Sequence, residues 1–158
     1  MDIRRTAFTD PVAQALIAEL QQEFVVRYGG PDTTPLEPRE FDPPSGAFFL
    51  AFEDARPVGM GGWRMRPGVT ALGGSTAAEI KRMYVVPSAR GRGCARAVLA
   101  ALESSARDAG ADVLVLESGE KQPEALALYA ATGYLPVPGF GIYRDSPLAR
   151  SLGKRLSG

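Results

Sequence analysis

The sequence predicts an α/β fold built around a mixed β-sheet, and two parts of the chain carry this prediction. In the centre, a strand-like run, a helical stretch and a second apolar run follow one another: Ala77–Val86, Gly91–Ala109 and Asp112–Leu116. A strand–helix–strand unit predicts a parallel pair, because the right-handed crossover returns the second strand beside the first. Before it, two short apolar runs, Ala47–Phe52 and Val58–Met65, are separated by a polar turn and predict an antiparallel hairpin.

The N-terminal part predicts a helix followed by a long loop. Asp10 is a good N-cap and Pro11 suits the first helical position, so we expect a helix that runs to about Arg27. The segment Tyr28–Ser45 is rich in Pro, Gly and acidic residues. It predicts a loop with a short helical turn near Pro38–Phe41, long enough to have a function of its own.

The C-terminal part predicts one more helix and some further strands. Gln122 and Pro123 open the helix, and Gly133 ends it. The segment Tyr134–Gly158 predicts strand segments crossed by loops. The length of 158 residues fits a single domain over residues 1–158.

The composition excludes several classes of protein. Lys plus Arg and Asp plus Glu both number 18, and this balance argues against a broad electrostatic surface for nucleic acid or an anionic membrane. There is no histidine, so the commonest general base and metal ligand is missing, and we expect no metal. Cys94 is the only cysteine, so no internal disulfide forms. With neither a signal peptide nor an apolar stretch of about 20 residues, we expect a cytoplasmic protein.

A glycine-rich loop lies between the central strand and the helix that follows it, within Val85–Ala95. Gly91 and Gly93 allow the backbone to come close to a ligand. The N–H groups at the start of a helix form an anion site, to which Arg90 and Arg92 add positive charge. The loop therefore predicts a site for a pyrophosphate.

Two other phosphate-binding loops do not match. A Walker loop requires Gly-Lys-Ser/Thr after four spacer residues, and the chain has none. The dinucleotide fingerprint requires glycine or alanine where this chain has Arg96. The remaining alternative is an ordinary glycine-rich turn with surface arginines.

The full pattern is Arg90-x-x-Gly93-x-Ala95 after a strand that ends in Val-Val-Pro. It resembles the acyl-CoA loop of the GNAT superfamily of N-acetyltransferases, Gln/Arg-x-x-Gly-x-Gly/Ala. The resemblance implies the GNAT fold, whose central parallel strands splay apart for acyl-CoA, and acetyl-CoA as co-substrate. It further implies that loop amides hold the pyrophosphate and that strand backbone groups pair with the pantetheine arm. The cofactor-binding residues expected here are Met83, Tyr84, Val85, Arg90, Gly91, Arg92, Gly93, Cys94 and Ala95.

A second motif, Gln122–Tyr129 followed by Gly133-Tyr134, resembles the GNAT pattern Asn-x-x-Ala-x-x-Leu-Tyr followed by Gly-Phe or Gly-Tyr. Gln122 replaces the usual asparagine and keeps a carboxamide that can bind the cofactor. Tyr129 matches the tyrosine that protonates the leaving CoA thiolate in many members. A phenol with a pKa of about 10 can donate to a thiolate whose thiol has a pKa of about 8.5. The alternative is that Tyr129 is a packing residue.

The attacking amine must lose a proton, and without histidine the candidates for the base are carboxylates. Glu79 matches the strand glutamate that is the base in histone-acetylating relatives, and we rank it first. Glu117 matches a glutamate with that role in ribosomal-protein-acetylating relatives, and a water chain is a third option. Either glutamate could instead be a charge at a strand end, in solvent or paired with Lys81, Arg82 or Lys121.

The resemblance also implies direct transfer without an acyl-enzyme, so Cys94 is expected to be an inert core thiol. In the superfamily, the acceptor site is built from the segment after the first helix and from the C-terminal region, here Tyr28–Asp42 and Gly139–Tyr143. Acidic and aromatic side chains there would suit a cationic amine, although an ordinary solvated loop would look the same. These side chains are Asp32, Glu37, Glu40, Asp42 and Phe140.

The expected function is therefore direct transfer of an acetyl group from acetyl-CoA to a primary amine of a small molecule. One alternative is a protein or peptide N-acetyltransferase, which an open groove with an acidic rim would favour. Another is a non-catalytic acyl-CoA-binding module. The presence of Tyr129 and both glutamates argues against this alternative. We expect no nucleic-acid or membrane partner, and a homodimer is left open. The closing segment Gly141–Leu148 is similar to the tail of a small bacterial GNAT subgroup of mostly unassigned substrate.

Overall fold

A seven-stranded mixed sheet with helices on its faces organises residues 1–156, which are the residues that the computed structural model describes. Its elements are β1 Asp2–Thr6, α1 Pro11–Tyr28, β2 Gly46–Glu53, β3 Arg56–Met65, β4 Ala77–Val85, α2 Cys94–Asp108, β5 Val113–Gly119, α3 Pro123–Ala131, β6 Leu135–Pro136 and β7 Ala149–Arg155. The strands lie in the order β1-β2-β3-β4-β5-β7-β6, and only β4 and β5 are parallel neighbours. The predicted α/β class with a mixed sheet is confirmed.

Caps at both ends define α1 as the sequence predicts. The Asp10 side chain accepts a hydrogen bond of 2.8 Å from the Val12 amide, and Gly29 ends the helix with a φ of 82°. The buried face of the helix packs against β2 and β3, and its fully buried residues are Ala13, Leu16 and Leu20. The loop after it contains a single 3-10 turn at Pro38–Phe41, as predicted.

The parallel pair is short. β4 and β5 pair only at Ala77–Val113, Ala78–Leu114 and Glu79–Val115, and then separate. A bulge lies just beyond this point, where Arg82 has a φ of 61° and the β3–β4 register shifts. Because a bulge bends its strand, it favours the divergence of β4 from β5. The C-terminal half of β4 therefore has no neighbour on the β5 side.

The boundaries of two elements differ from the prediction for backbone reasons. α2 begins at Cys94 rather than Gly91, because Gly91 and Gly93 have left-handed φ values of 79° and 84° that a helix cannot contain. β5 continues to Gly119, beyond the predicted end at Leu116, because β7 pairs with it along its whole length. The sequence does not predict that β7 lies between β5 and β6. Residues 157 and 158 of the predicted C-terminal segment lie outside the described residues.

Candidate active site

The divergence of β4 and β5 opens a cleft with a volume of about 420 Å³. One wall is the unpaired half of β4, and the other consists of the end of β5 and the first turns of α3. The loop that precedes α2 closes one end. Met83, Tyr84 and Val85, the β4 residues expected to contact the cofactor, all line this cleft.

The loop before α2 presents a set of unpaired backbone donors. The amides of residues 91–96 make no hydrogen bond within the described chain, and the first bond of the helix runs from the Ala97 amide to the Gly93 carbonyl at 3.0 Å. Gly93 is the N-cap, with left-handed φ. Several adjacent N–H groups at a helix N-terminus form an anion site. The loop can therefore hold a pyrophosphate through its backbone.

The two arginine side chains of the loop are already paired with carboxylates. Arg90 donates to the Val85 carbonyl at 2.9 Å and forms an ion pair with Glu23 at 3.0 Å. Arg92 forms an ion pair with Glu53 at 2.8 Å. Their charges are partly neutralised, so the backbone amides are the main anion-binding groups of the loop.

Tyr129 and Gln122 line the opposite wall of the cleft. The Tyr129 hydroxyl has no hydrogen-bond partner in residues 1–156, and its ring packs edge-on against Tyr134 with centroids 5.4 Å apart. Burial raises the pKa of Tyr129, so the phenol keeps its proton at neutral pH. Gln122 precedes α3 and accepts a hydrogen bond of 3.3 Å from Tyr28. A proton donor and a carboxamide therefore lie where the second motif predicts them.

Cys94 is the first residue of α2 and is almost fully buried. Burial, followed by the charge of Glu53, raises the pKa of its thiol, so the nucleophilic thiolate is disfavoured. Its inertness in the reaction stays a prediction.

Glu117 lies at the junction of three cavities: the cleft of about 420 Å³ and two smaller ones of about 320 and 370 Å³. Neither of its carboxylate oxygens has a hydrogen bond of full geometry within residues 1–156, although the Tyr143 backbone amide lies close enough to favour the ionised form; a Cβ at position 141 would displace the carboxylate from this position. Burial raises the pKa of Glu117, and the nearby charge of Glu79 raises it further, while Lys81 opposes this. A carboxylate in such surroundings is a stronger base than a free one.

Glu79 is in a different environment. It is 1% exposed, and its Oε1 accepts hydrogen bonds from Arg64 at 3.1 Å and from Arg66 at 2.5 Å. Arg64 also contacts Glu40 at 3.0 Å. The cations are therefore Arg64, which lies opposite Glu79 on β3, and Arg66, which follows the end of β3. They are not the Lys81, Arg82 or Lys121 that the sequence suggested.

Asp32, in the loop after α1, joins three parts of the site. Its carboxylate pairs with Lys81 at 3.0 Å and with Arg82, and it accepts a hydrogen bond of 2.9 Å from the Tyr143 hydroxyl. Burial opposes its ionisation, but Lys81, Thr34 and Arg82 outweigh burial and hold its pKa well below the usual range. The acidic loop therefore contributes an anchor at this position rather than a free negative charge.

The sequence analysis did not predict which residues position the carboxylates of the site. These residues are Lys81, Arg82, Arg64, Arg66 and Tyr143. One usable signal was the presence of three charged residues, Glu79, Lys81 and Arg82, on either side of Ile80 in a strand otherwise made of largely apolar residues. Charged residues in a buried strand require partners, because an unpaired buried charge is very costly. Which partners they find depends on long-range register, which the sequence does not encode locally.

In residues 1–156, no three His, Cys, Asp or Glu side chains come together as a metal site, and no helix has the length and apolarity to cross a membrane. The separated strands, the unpaired amides and the buried proton donor define a protein of the acyl-CoA-binding α/β class. Its cleft is lined by the free edge of β4, by the anion-binding loop and by Tyr129, a lining that fits acyl-CoA.

Comparison with known proteins identifies the family within this class. The chain matches the Acetyltransferase (GNAT) family over residues 13–134. A protein of Azospirillum brasilense named IAA acetyltransferase is 33% identical over 153 residues, which cover 97% of this chain and 95% of that protein. The chain belongs to the GNAT acetyltransferase family and is an acyl-CoA-dependent N-acyltransferase.

Solved structures agree in fold. A Klebsiella pneumoniae structure, itself assigned provisionally as an acyl-CoA N-acyltransferase, is 30% identical with a TM-score of 0.78, and the match covers 98% of this chain and 97% of that one. An aminoglycoside 6′-N-acetyltransferase complexed with coenzyme A has a TM-score of 0.71 at 16% identity, over 100% of this chain and 98% of that one. At this identity the second likeness is one of fold alone.

We expect Gly93→Glu to abolish CoA binding in a folded protein. No atom lies within 4 Å of a Cβ at this position, so the carboxylate can extend into the space in front of the free amides and repel phosphate. The measurement is calorimetric titration with CoA.

The matched control is Gly110→Glu at the other end of α2. Gly110 also has a left-handed φ, 103°, and no neighbour within 4 Å of a Cβ, so it reproduces the backbone strain away from the cleft. Gly110→Glu should bind CoA normally. Unchanged CoA affinity in folded Gly93→Glu would contradict the loop assignment.

Proposed function

We propose that the protein, acting as a single domain over residues 1–158, transfers the acetyl group of acetyl-CoA directly to the primary amine of a small molecule. The observation that carries the small-molecule part is a bridge over the acceptor side of the site. The similarity to a protein named IAA acetyltransferase supports acetyl as the transferred group.

The bridge, called here the Asp32–Tyr143 bridge, joins the loop after α1 to the C-terminal loop. The Tyr143 hydroxyl donates to Asp32 at 2.9 Å and accepts from the Thr33 amide at 2.9 Å. Gln21 fixes the Asp32 backbone by two hydrogen bonds, of 2.8 and 3.1 Å. The two smaller cavities, of about 320 and 370 Å³, include residues from these two loops and meet at Glu117. Separate cavities of this size suit a small amine better than a peptide, which needs a continuous groove.

In the proposed complex, the amides of residues 91–96 hold the pyrophosphate and the free edge of Met83–Val85 pairs with the pantetheine arm. Gln122 contributes a carboxamide at the mouth of the cleft. Acetyl-CoA supplies the activated acyl group as a thioester.

We propose Glu117 as the base, although the sequence pattern ranks Glu79 first. Two arginines already contact Oε1 of Glu79, so this oxygen is occupied and does not face an incoming amine freely. Glu117 has no cation bonded to it, and burial favours its protonated form. Glu117 takes one proton from the bound ammonium, which frees the nitrogen lone pair to attack the thioester carbonyl. The nitrogen loses a second proton as the N–C bond forms, and this proton replaces the one that Tyr129 gives up. Tyr129 gives its proton to the sulfur as the C–S bond breaks.

The first alternative, a protein or peptide acceptor, requires the Asp32–Tyr143 bridge to open. The second, a non-catalytic acyl-CoA-binding module, leaves the free Tyr129 hydroxyl and the unpaired Glu117 carboxylate without a role. Nothing beyond residue types favours either alternative.

A screen of acceptors with acetyl-CoA, read out as released thiol, tests the function. The panel contains simple amines, amino acids, aminoglycosides and peptides. We expect turnover with one or more small amines and none with peptides longer than the cavities admit. Efficient turnover of peptides alone would overturn the small-molecule assignment, and no thiol release with any acceptor would overturn the enzymatic one.

Tyr129→Phe should lower turnover by about 100-fold or more, the usual contribution of a general acid, while CoA affinity changes little. The ring and its contact with Tyr134 are retained, and only the proton donor is lost. The control is Tyr134→Phe, which removes a hydroxyl bonded to Glu103 at 2.8 Å outside the cleft. That variant should lose stability and keep its turnover. Full activity of Tyr129→Phe would mean that solvent protonates the thiolate.

Glu117→Gln should reduce the rate most at low pH and recover partly as pH rises, because free amine then becomes abundant. In the wild type, the rate should fall at acid pH with a midpoint above the ordinary glutamate pKa of about 4.3, because the pKa of Glu117 is raised. Glu79→Gln removes a like charge near Glu117, so the acidic limb of its pH–rate profile should move to lower pH. The measurement is the pH–rate profile on one substrate.

Thermal unfolding separates structural loss from chemical loss in these variants. Glu79→Gln removes the buried negative charge that pairs with Arg64 and Arg66, so this variant should unfold at a lower temperature. The exposed Glu120→Gln serves as the control and should match the wild type in both assays. If Glu79→Gln loses the acidic limb while Glu117→Gln retains it, Glu79 is the base. If neither profile changes, a water chain takes the proton.

A further inference from the structure

The cavity of about 370 Å³ beside Glu117 is lined by arginines, although the sequence pattern suggested an acidic acceptor site. Arg64, Arg66 and Arg144 all contribute to it, together with Phe140 and Ile142. Two acidic residues of the loop after α1 supply no free negative charge to this cavity, because each is already paired with a cation. Asp32 pairs with Lys81, and Glu40 pairs with Arg64.

Two of the three arginines keep unused donors. Arg64 is fully engaged by Glu79, Glu40 and the Pro35 carbonyl. Arg66 uses one guanidinium nitrogen, for Glu79, and its guanidinium lies 5.7 Å from the centre of the Phe140 ring.

Arg144 bonds only to the Gly141 carbonyl, at 3.0 Å, and makes no ion pair within residues 1–156. Two guanidinium groups with open donors therefore line one cavity. This is the arrangement that binds a carboxylate through charge-assisted hydrogen bonds.

The same cavity contains unpaired acceptors. The Oε2 of Glu79 and both oxygens of Glu117 are buried and have no hydrogen-bond partner. Buried polar atoms are rarely left unpaired, so these oxygens indicate a missing donor. A primary ammonium carries three N–H donors, which is the number of unpaired oxygens. The acceptors and the open arginine donors are thus complementary to the two ends of a zwitterion.

We propose that the acceptor is a small amine that also carries a carboxylate, such as an amino acid with an apolar side chain. Its amine lies at Glu117 and Glu79, its carboxylate binds Arg144 and Arg66, and its side chain contacts Phe140. This inference rests on the proposed acetyl transfer to a small amine and names the substrate class. It disfavours polycationic amines, because the open arginines would repel additional positive charges.

The experiment compares acceptors that share a side chain and differ in the carboxylate. Leucine and phenylalanine are each measured beside their amides and their decarboxylated amines, as kcat/KM with saturating acetyl-CoA. In the wild type, the amino acids should be the better substrates. For each variant we take the ratio of kcat/KM for the amino acid to kcat/KM for the amine and compare it with the same ratio for the wild type. The basicity of each acceptor is the same for all variants, so it cancels in this comparison.

Arg144→Gln should reduce this ratio by about tenfold or more, the typical effect of one hydrogen bond between charged groups, mainly through KM for the amino acid. Arg144→Lys should retain part of the preference, since the charge remains without the planar fork. The control is Arg150→Gln, an exposed arginine of the following strand that pairs with Glu120 outside this cavity. Its ratio should equal that of the wild type.

The possible failures are distinguishable. The inference is wrong if the decarboxylated amines react as well as or better than the amino acids in the wild type, or if Arg144→Gln leaves the ratio unchanged. In either case the proposed acetyl transfer stands. If the folded protein binds CoA but releases no thiol with any of these amines or with the wider acceptor panel, the proposed function itself fails.

Discussion

The separation of β4 from β5 after three residue pairs is the constraint on which the rest of the structure depends. Every backbone N–H and C=O in a buried sheet needs a partner, and the divergence removes those partners from the far half of β4. An extended ligand that offers its own amide groups can restore them. The cleft is therefore a consequence of one irregularity in the sheet, which the bulge at Arg82 accompanies, and the loop before α2 adds the anion site at its end.

The C-terminal end of α1 forms ion pairs with both sides of the cleft, the loop before α2 and the start of α3. On the β4 side, Glu23 pairs with Arg90 at 3.0 Å, and on the β5 side Arg27 pairs with Glu124 at 2.7 Å. Partly exposed ion pairs of this kind contribute only about 0–1 kcal/mol each, so their main effect is on position rather than stability. Asp32 adds a more buried contact to Lys81 on β4. A single helix and the loop after it thus fix the width of the cleft and the closure of the acceptor side.

The sequence predicted those features of the fold that depend on residues close together in the chain. The cap at Asp10, the glycine loop and the helix that contains Tyr129 each depend on neighbours a few residues away, and these predictions agree with the structure in position. The ion pairs could not be predicted, because the partner of Glu79 depends on the β3–β4 register, which places Arg64 opposite it. Asp32 illustrates the same limit: its type and loop suggested recognition of a cation in the substrate, while the fold directs it to cations of the protein. Residue types indicated the candidate site, and long-range pairing determines which of its charges are neutralised.

The position of Glu117 involves a conflict between stability and chemistry. Its carboxylate lacks hydrogen bonds, and its pKa in the folded protein is raised above that of the unfolded chain. A group of this kind binds a proton more tightly in the folded state. Its contribution to stability is therefore most favourable below the ordinary pKa of about 4.3 and is lost as pH rises through the raised value. At neutral pH the ionised carboxylate thus costs folding free energy.

The same loss of solvation increases the affinity of Glu117 for the proton of an incoming amine, and Gly141 leaves space for the carboxylate. Because selection for stability alone would replace such a residue, its unpaired oxygens are best explained by a ligand that supplies the missing donors.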